Sequence, residues 1–179
     1  LKPDLVVVGT HGKIGLKQNL FGSNIYRLVQ RINAACLVVS DYTDTIIDGF
    51  RDILMPVAPH TDYLIKVQQT VKLLADGGTI HIFEIRKPGA GFDEKLVKNL
   101  EEAKAFLAEN RVNFDYIEKG SRDVSDGFSE ETLLFAAETG MDLLSIMTKV
   151  SESNKRFGKT DKETALLNKV SLPVLTCNA

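Results

Sequence analysis

The sequence predicts an α/β fold, in which an open and mostly parallel sheet carries helices on both of its faces. Short runs of Val, Ile and Leu recur along the chain, and several are continuous instead of alternating, which is typical of parallel strands covered on both sides. Amphipathic helical patterns separate these runs. From residue 51 onward the two patterns alternate as β-α-β-α-β-α-β-α-β, the order of one complete α/β domain.

Seven of the aliphatic runs predict strands. Each run is short and dominated by Val, Ile and Leu, so its side chains suit a sheet that is buried on both faces. The predicted strands are Leu5–Val8, Cys36–Ser40, Asp52–Val57, Thr79–Ile85, Val112–Ile117, Leu143–Met147 and Pro173–Cys177.

Helix signals lie between these strands. Helical spacing of apolar residues predicts one helix over Tyr63–Ala75, stopped by Gly77 and Gly78, and a second over Glu94–Asn110. The apolar face of the first helix is predicted at Leu64, Val67, Val71 and Leu74. The segment "SNIYRLVQRIN" predicts a further helix that begins at Ser23.

Capping residues predict two more helices. Ser129 is predicted to cap a helix with acidic residues in its first turn, and Gly140 to end it. Thr160 and Glu163 form a T-x-x-E capping box, which predicts the last helix of the chain.

The composition of the chain argues against several classes of protein. The 179 residues are 44% apolar, which is enough to bury a sizeable core, and the formal charge of −2 argues against a nucleic-acid-binding protein. No apolar run approaches the roughly 18 residues that a membrane-spanning helix needs. Cys36 and Cys177 are far apart in sequence and lie near no metal-type partners, so we expect reduced thiols in a cytoplasmic protein.

The two ends of the chain resemble each other. The segment "PDLVVVGTHGKIG" at 3–15 resembles "MDLLSIMTKVSES" at 141–153, and "NAACLVVS" at 33–40 resembles "VSLPVLTC" at 170–177. Asp4 matches Asp142 at an offset of 138, and Leu37 matches Val174 at 137. Two stretches in the same order at nearly the same spacing indicate an internal repeat.

The repeat predicts the domain organisation. About 40 residues cannot bury enough surface to stand alone, so we expect 1–40 to be the last β-α-β of a first domain whose front, about 100 residues, lies upstream. Residues 41–50 are then a linker, and 51–179 form a complete second domain. We expect the strands of 1–40 to pack against a partner chain or against this second domain.

A glycine pattern follows the first predicted strand. Gly9 and Gly12 are followed by nine residues and then by Gly22-Ser23, a spacing that fits neither a Walker A loop nor a dinucleotide fingerprint. Gly9 is expected to turn with positive φ at the strand end, and Gly12 to let backbone approach a ligand. Gly22-Ser23 opens a helix whose unpaired N–H groups and dipole favour an anion. The alternative is a loop with turn geometry alone.

This G-x2-G-x9-G-[S/T] pattern resembles that of nucleotide-binding members of the universal stress protein family. The resemblance implies a five-stranded parallel sheet of order 3-2-1-4-5 with adenine nucleotide bound at its carboxyl edge, as is usual in open α/β sheets. It implies that Val8 and Gly9 lie near the ribose. The residues that it implies near the phosphates are Gly12, Lys13, Gly22, Ser23 and Asn24.

The second domain departs from that pattern. Family members that bind ATP place an acidic residue after the first strand, whereas Ala58 stands there in this chain. Met147 and Val150 replace the two glycines after the fourth strand, so side chains would fill the space that phosphate needs. We therefore expect no nucleotide in 51–179.

Other polar residues give weaker signals. "SNKRFGKT" at 153–160 ends like a Walker A loop, but Ser153 stands where the first glycine belongs; it is interpreted as a solvated basic loop, with an anion site as the alternative. His11 is interpreted as a solvated loop residue, and His81 as a hydrogen-bonded sheet histidine. Around His60 and His81 no set of metal ligands is apparent.

Three functions follow. The first is a stress-response protein that binds ATP or another adenine nucleotide, with or without Mg²⁺, and senses it; no residue dedicated to positioning an attacking water is apparent, so at most slow hydrolysis is expected. The second is a scaffold that binds no nucleotide and acts through dimer-like surfaces. The third is binding of an apolar ligand in the altered second cleft. In the family the fifth strands of two domains often meet, and here those are "CLVVS" and "PVLTC".

Overall fold

The computed structural model describes residues 3–10, 23–40, 48–86, 89, 93–120, 127–147 and 172–177. Strands and helices alternate along most of this part of the chain, as the sequence predicts. The elements are β1 (Leu5–Thr10), α1 (Ser23–Arg31), β2 (Ala35–Ser40), β3 (Phe50–Pro56), α2 (Tyr63–Val71), β4 (Leu74–Arg86), α3 (Glu94–Glu109), β5 (Asn113–Gly120), α4 (Gly127–Thr139), β6 (Leu143–Met147) and β7 (Val174–Cys177).

The strands form one sheet with the order β1-β2-β7-β6-β3-β4-β5. Its last five strands, read from β5 to β7, have the predicted order 3-2-1-4-5, and all of them are parallel. The sheet does not end at β7, however, because β2 pairs antiparallel with it. The predicted five-stranded sheet is therefore present, and β2 and β1 extend it to seven continuous strands.

Helices cover both faces of the sheet, as predicted. Helices α2 and α3 bury apolar residues such as Val67 and Leu107 in a core on one face. Helices α1 and α4 contribute Val29 and Phe135 to a second core on the other face, where the Phe135 ring stacks on Phe83 with 4.8 Å between centroids. Among the described helices, none is both long and apolar enough to cross a membrane.

Strand β4 begins five residues before its predicted start, and α2 ends earlier than predicted. Leu74 pairs with Phe50 of β3, and the Phe50 amide donates to the Leu73 carbonyl at 2.9 Å, so the chain has already left the helix there. Gly77 and Gly78 lie inside the strand instead of stopping the helix. Gly77 has φ +75°, and the β3–β4 register shifts nearby, as in a bulge.

The buried face of α2 also differs from the prediction. Its fully buried residues are Tyr63, Lys66, Val67 and Thr70, of which only Val67 was predicted. The other predicted residues, Leu64, Val71 and Leu74, are partly buried and pack against the same core. The Lys66 stem lies in the core while its ammonium donates to the Pro56 carbonyl at 2.6 Å, so a lysine can occupy a core position.

The predicted helix ends are confirmed in some cases and wrong in others. Helix α3 begins at its predicted residue, and the Asp93 carboxylate accepts from the Lys95 and Leu96 amides at 3.0 and 3.1 Å. Helix α4 begins at Gly127, so Ser129 lies within its first turn and is not its cap. The predicted end is confirmed, since Gly140 follows the helix with φ +69°. The Thr160–Glu163 capping box lies outside the described residues.

The strand register allows the two similar stretches of sequence to be aligned residue by residue. Leu5 pairs with Ala35 and Leu144 pairs with Val174, so partners are 30 positions apart in both β1–β2 and β6–β7. Because Asp4 corresponds to Asp142 at an offset of 138, the second strands of the two units correspond at 138 as well. The offset of 137 inferred from sequence for the second stretch is corrected by one residue.

The corrected offset makes Leu37 equivalent to Leu175. These two residues face each other at the centre of the antiparallel β2–β7 pairing, with Cys36 opposite Thr176 and Val38 opposite Val174. Equivalent residues meet at the centre, as they do across the two-fold axis of an isologous dimer. The predicted contact between "CLVVS" and "PVLTC" is thus present within this chain.

Candidate functional site

Val8 and Gly9 lie at the carboxyl end of β1, opposite Val38 and Val39 of the parallel strand β2. Ligands of open α/β sheets bind beyond this end of the strands. Among the described residues, nothing lies within 4 Å of a Cβ atom built on Gly9. Gly9 is part of the strand and lacks the positive φ that was predicted for it. Glycine suits this position because it has no side chain, and not because it adopts a turn conformation.

The predicted phosphate residues divide between described and undescribed parts of the chain. Ser23 and Asn24 are the first two residues of α1, so their backbone amides belong to the unpaired first turn of a nine-residue helix. His11, Gly12, Lys13 and Gly22 lie outside the described residues. The structure thus fixes both ends of the glycine loop, a strand end and a helix start, as the sequence predicts.

The corresponding edge of strands β3–β7 is built differently. After β3, the Asn99 side chain of α3 donates to the Ala58 and His60 carbonyls at 2.8 and 3.0 Å. Asn99 and His60 are buried, so this amide holds the β3–α2 loop against the body of the protein. Lys95 adds a second tie, donating to the Thr61 hydroxyl at 2.8 Å.

Side chains fill the space between the ends of β3 and β6, where the strand order reverses. Met147 at the end of β6 is only 1% exposed and packs in the core under α2. The Tyr63 hydroxyl and the Lys66 ammonium both donate to the Pro56 carbonyl, at 3.2 and 2.6 Å. Val150, the third residue singled out here, lies outside the described residues.

His81 is the hydrogen-bonded sheet histidine that was predicted. Its Nε2 lies 3.1 Å from an Asp52 oxygen, and its Nδ1 lies 3.5 Å from an Asp115 oxygen. These neighbours lie on β3 and β5, near the amino ends of those strands. In the described part of the chain no group of three or more His, Cys, Asp or Glu side chains could hold a metal ion.

A polar cluster at the carboxyl ends of β4 and β5 was not predicted. The Tyr116 hydroxyl donates to Glu84 at 2.5 Å and lies 3.2 Å from a Glu118 oxygen, and Arg86 bridges the same two carboxylates at 3.0 and 3.2 Å. Burial, with a further contribution from Glu84, raises the pKa of Tyr116 well above its usual range. The sequence signal was alternation along β5, which places Tyr116 and Glu118 on one face.

The comparison with known families concerns the segment that holds the glycine loop. The sequence model of the universal stress protein family matches residues 1–40. In this segment the chain is similar in sequence to the universal stress protein family. The match confirms the family that the glycine pattern indicates, while the tandem arrangement of two domains stays a prediction. No curated protein matches the chain.

Solved universal stress proteins share the fold over more of the chain. One from Archaeoglobus fulgidus DSM 4304 is 13% identical, with a TM-score of 0.59, over 98% of this chain and 60% of its own. Another from Archaeoglobus fulgidus is 14% identical, with a TM-score of 0.51, over 74% of this chain and all of its own. At these identities the likeness establishes the fold. This chain spans only about three fifths of the first structure's length.

Proposed function

We propose that this universal stress protein binds an adenine nucleotide, ATP by preference, through the loop between β1 and α1, and that it senses the nucleotide more than it turns it over. Backbone amides and the helix dipole would hold the phosphates, with Mg²⁺ as a counter-ion where it is bound. The residues assigned to the site are Val8, Gly9, Gly12, Lys13, Gly22, Ser23 and Asn24. A stress-response role in the cytoplasm belongs to the same proposal.

One observation carries the proposal: Gly9 stands near the carboxyl end of a parallel strand, and no described residue lies where its side chain would be. The loop that follows ends at the first turn of α1, whose amides have no partners within the helix. A strand end without a side chain and a helix start are the two features that phosphate recognition by backbone requires.

The proposed organisation places the rest of the nucleotide site outside 1–40. Residues 1–40 would close one domain of the universal stress type, 41–50 would link it to the next, and 51–179 would form a second. The adenine would then lie against strands that precede β1. In 51–179, buried Met147 and the Asn99-tied loop at Ala58 favour a domain without nucleotide.

The test is a titration of the isotope-labelled chain with Mg-ATP, followed through the amide signals of Gly9, Gly12 and Gly22. We expect saturable shifts that inorganic tripolyphosphate competes away, because the proposed contacts in 1–40 are to phosphate. Gly9→Val should weaken binding at least about tenfold by placing a side chain against the phosphates. Absence of saturable shifts up to roughly 10 mM, where binding weaker than about 3 kcal/mol would be missed, contradicts the proposal.

Gly120→Val is the matched control. Gly120 also ends a strand, lacks a positive φ and has nothing within 4 Å of a built Cβ, so both variants should fold. Binding by Gly120→Val should equal that of the original chain. Equal losses in the two variants would show that the strand end, and not the glycine loop, governs the result.

The β2–β7 pairing favours a second candidate function, an interaction protein that acts through dimer-like surfaces. The pairing joins the two repeat units through buried Leu37 and Leu175. Leu37→Lys should release residues 1–40 to limited proteolysis between 41 and 47 while 50–177 resists, because a lysine there would leave a charge in the core. If the chain binds no nucleotide but requires the β2–β7 pairing to stay intact, the scaffold function is favoured.

A further inference from the structure

One imidazole ring faces a carboxylate on each of its two neighbouring strands. His81 lies on β4, directly opposite Asp115 of the edge strand β5, and its side chain is mostly buried. Its Nε2 is 3.1 Å from an oxygen of Asp52 on β3, and its Nδ1 is 3.5 Å from an oxygen of Asp115. The ring therefore lies between two acidic side chains that it can join.

The two ring nitrogens are not equally well satisfied. Nδ1 is buried, and it makes no hydrogen bond to any residue that the structure describes. A neutral imidazole has one N–H group and one lone pair, so it can donate to one of the two carboxylates and must turn a lone pair toward the other. The protonated ring has two N–H groups and can donate to both. Asp115 is largely exposed, so rotation of its side chain can shorten the longer contact.

The charged groups of the other elements nearby are engaged elsewhere. On the β6 side, the Asp142 carboxylate accepts two backbone amides of β3. On α4, the Glu138 carboxylate lies 4.0 Å from the Lys119 ammonium of β5. Among the described residues, Asp52 and Asp115 are the charged side chains within 4 Å of the ring nitrogens. The charge on the ring thus decides how these two carboxylates are held.

We propose that His81, together with Asp52 and Asp115, is a pH-sensitive switch that fastens the edge strand β5 in its protonated form. In the described part of the sheet, β4 is the strand to which β5 pairs, so a contact between His81 and Asp115 acts directly on this edge. Loss of the proton replaces a donor that faces one carboxylate with a lone pair. Histidine changes charge between pH 5 and 8, a range in which aspartates are ordinarily ionised.

The sign of the effect follows from this geometry. The protonated ring has its two carboxylate partners in the folded chain and loses them on unfolding, so the stabilisation is present at pH 5.5 and is lost as the pH rises toward 8. The side chains of Asp52 and Asp115 are 50% and 64% exposed, so water and salt weaken the pairing. A modest but measurable effect is therefore expected.

Urea unfolding of the full chain and of His81→Gln, each at pH 5.5 and pH 8, tests the switch. Glutamine can still form hydrogen bonds but does not titrate, so the difference between the two chains cancels the contributions of the other titrating groups. We expect the midpoint difference to be about 0.5 M larger at pH 5.5 than at pH 8. Hydrogen exchange of the β5 amides, corrected for the intrinsic effect of pH, should show a roughly fivefold loss of protection at pH 8.

Two further variants separate the switch from general effects of charge. Asp115→Asn should remove most of the pH dependence, because an amide facing Nδ1 can donate to the lone pair of the neutral ring. Asp115 is mostly exposed, so this variant should fold. Asp76→Asn is the matched control, since it removes the same charge from an exposed position on β4 and should keep the full pH dependence.

Either of two results would overturn the proposal. One is a midpoint difference between the original chain and His81→Gln that is equal at both pH values, which would make His81 a structural residue only. The other is an Asp115→Asn variant with the same pH dependence as Asp76→Asn. If His81→Gln does not fold, the comparison of Asp115→Asn with Asp76→Asn decides the question by itself.

Discussion

Replacing Asp142 tests how strands β3 and β6 are held together at their amino ends. Its carboxylate is the common acceptor for the Arg51 and Asp52 amides, at 2.8 and 3.1 Å. Asp142→Ala removes both hydrogen bonds and leaves two backbone amides without that acceptor. The Asp142 amide still donates to the Asp52 carbonyl and the strands still pair at Leu143 and Leu144, so we expect a loss of stability and not a local rearrangement.

The size of the loss follows from the surroundings. A hydrogen bond to a charged group contributes about 1.5–3 kcal/mol to stability, less where water competes. The Arg51 amide bond is exposed and the Asp52 amide bond is partly buried, so we expect about 2–3 kcal/mol for the pair together. Asp142→Asn keeps one acceptor oxygen and should lose about 1 kcal/mol.

Urea unfolding measures the loss. With a slope of about 2 kcal/mol/M, Asp142→Ala should lower the midpoint by roughly 1–1.5 M without changing the slope. Asp76→Ala, at an exposed carboxylate of β4, is the control and should stay within about 0.5 kcal/mol. A loss below about 0.5 kcal/mol for Asp142→Ala would refute the assigned role.

Further predictions concern three other sites. Gly78→Ala places a Cβ atom 2.8 Å from the Arg51 carbonyl and should cost roughly 2 kcal/mol in urea unfolding, whereas Gly120→Ala should be nearly neutral. Tyr116→Phe should cost about 1–2 kcal/mol, because buried Glu84 loses a donor. Because the pKa of Tyr116 is raised, its stabilising contribution should be present below about pH 10 and fade as the pH rises, a change that ultraviolet titration against Tyr116→Phe would detect. Burial raises the pKa of Cys36 to about 11, so its thiol should resist Ellman's reagent at neutral pH; rapid modification of the folded chain would contradict this.

The strands were predictable because each is a local property of the sequence. All seven predicted runs are strands, and the order of the last five follows the family resemblance. The exact start of β4 was not predictable. Leu74 and Ala75 continue a helical pattern in sequence, but they pair with β3 because the bulge at Gly77 and Gly78 lets the strand extend past it. Long-range pairing overrode local propensity there.

The candidate site was also predictable only in part. The glycine spacing located Gly9 and Ser23 correctly at a strand end and a helix start, but it attached the wrong reason to Gly9, which is extended and has no positive φ. The burial of Lys66 was not predicted, because a charged residue interrupts the apolar spacing from which a buried helix face is recognised. Only the position of the Pro56 carbonyl explains how its ammonium is accommodated.

By itself, the sequence determined the fold class, the family that residues 1–40 resemble and the similarity of the two ends of the chain, since these depend on aliphatic runs, glycine spacing and self-similarity along the chain. The tertiary structure decided how the repeats meet. The pairing of Leu37 with Leu175 and the register that makes them equivalent depend on contacts between residues far apart in sequence. A one-residue change in register turns every side chain to the other face, and only the assembled sheet fixes that register.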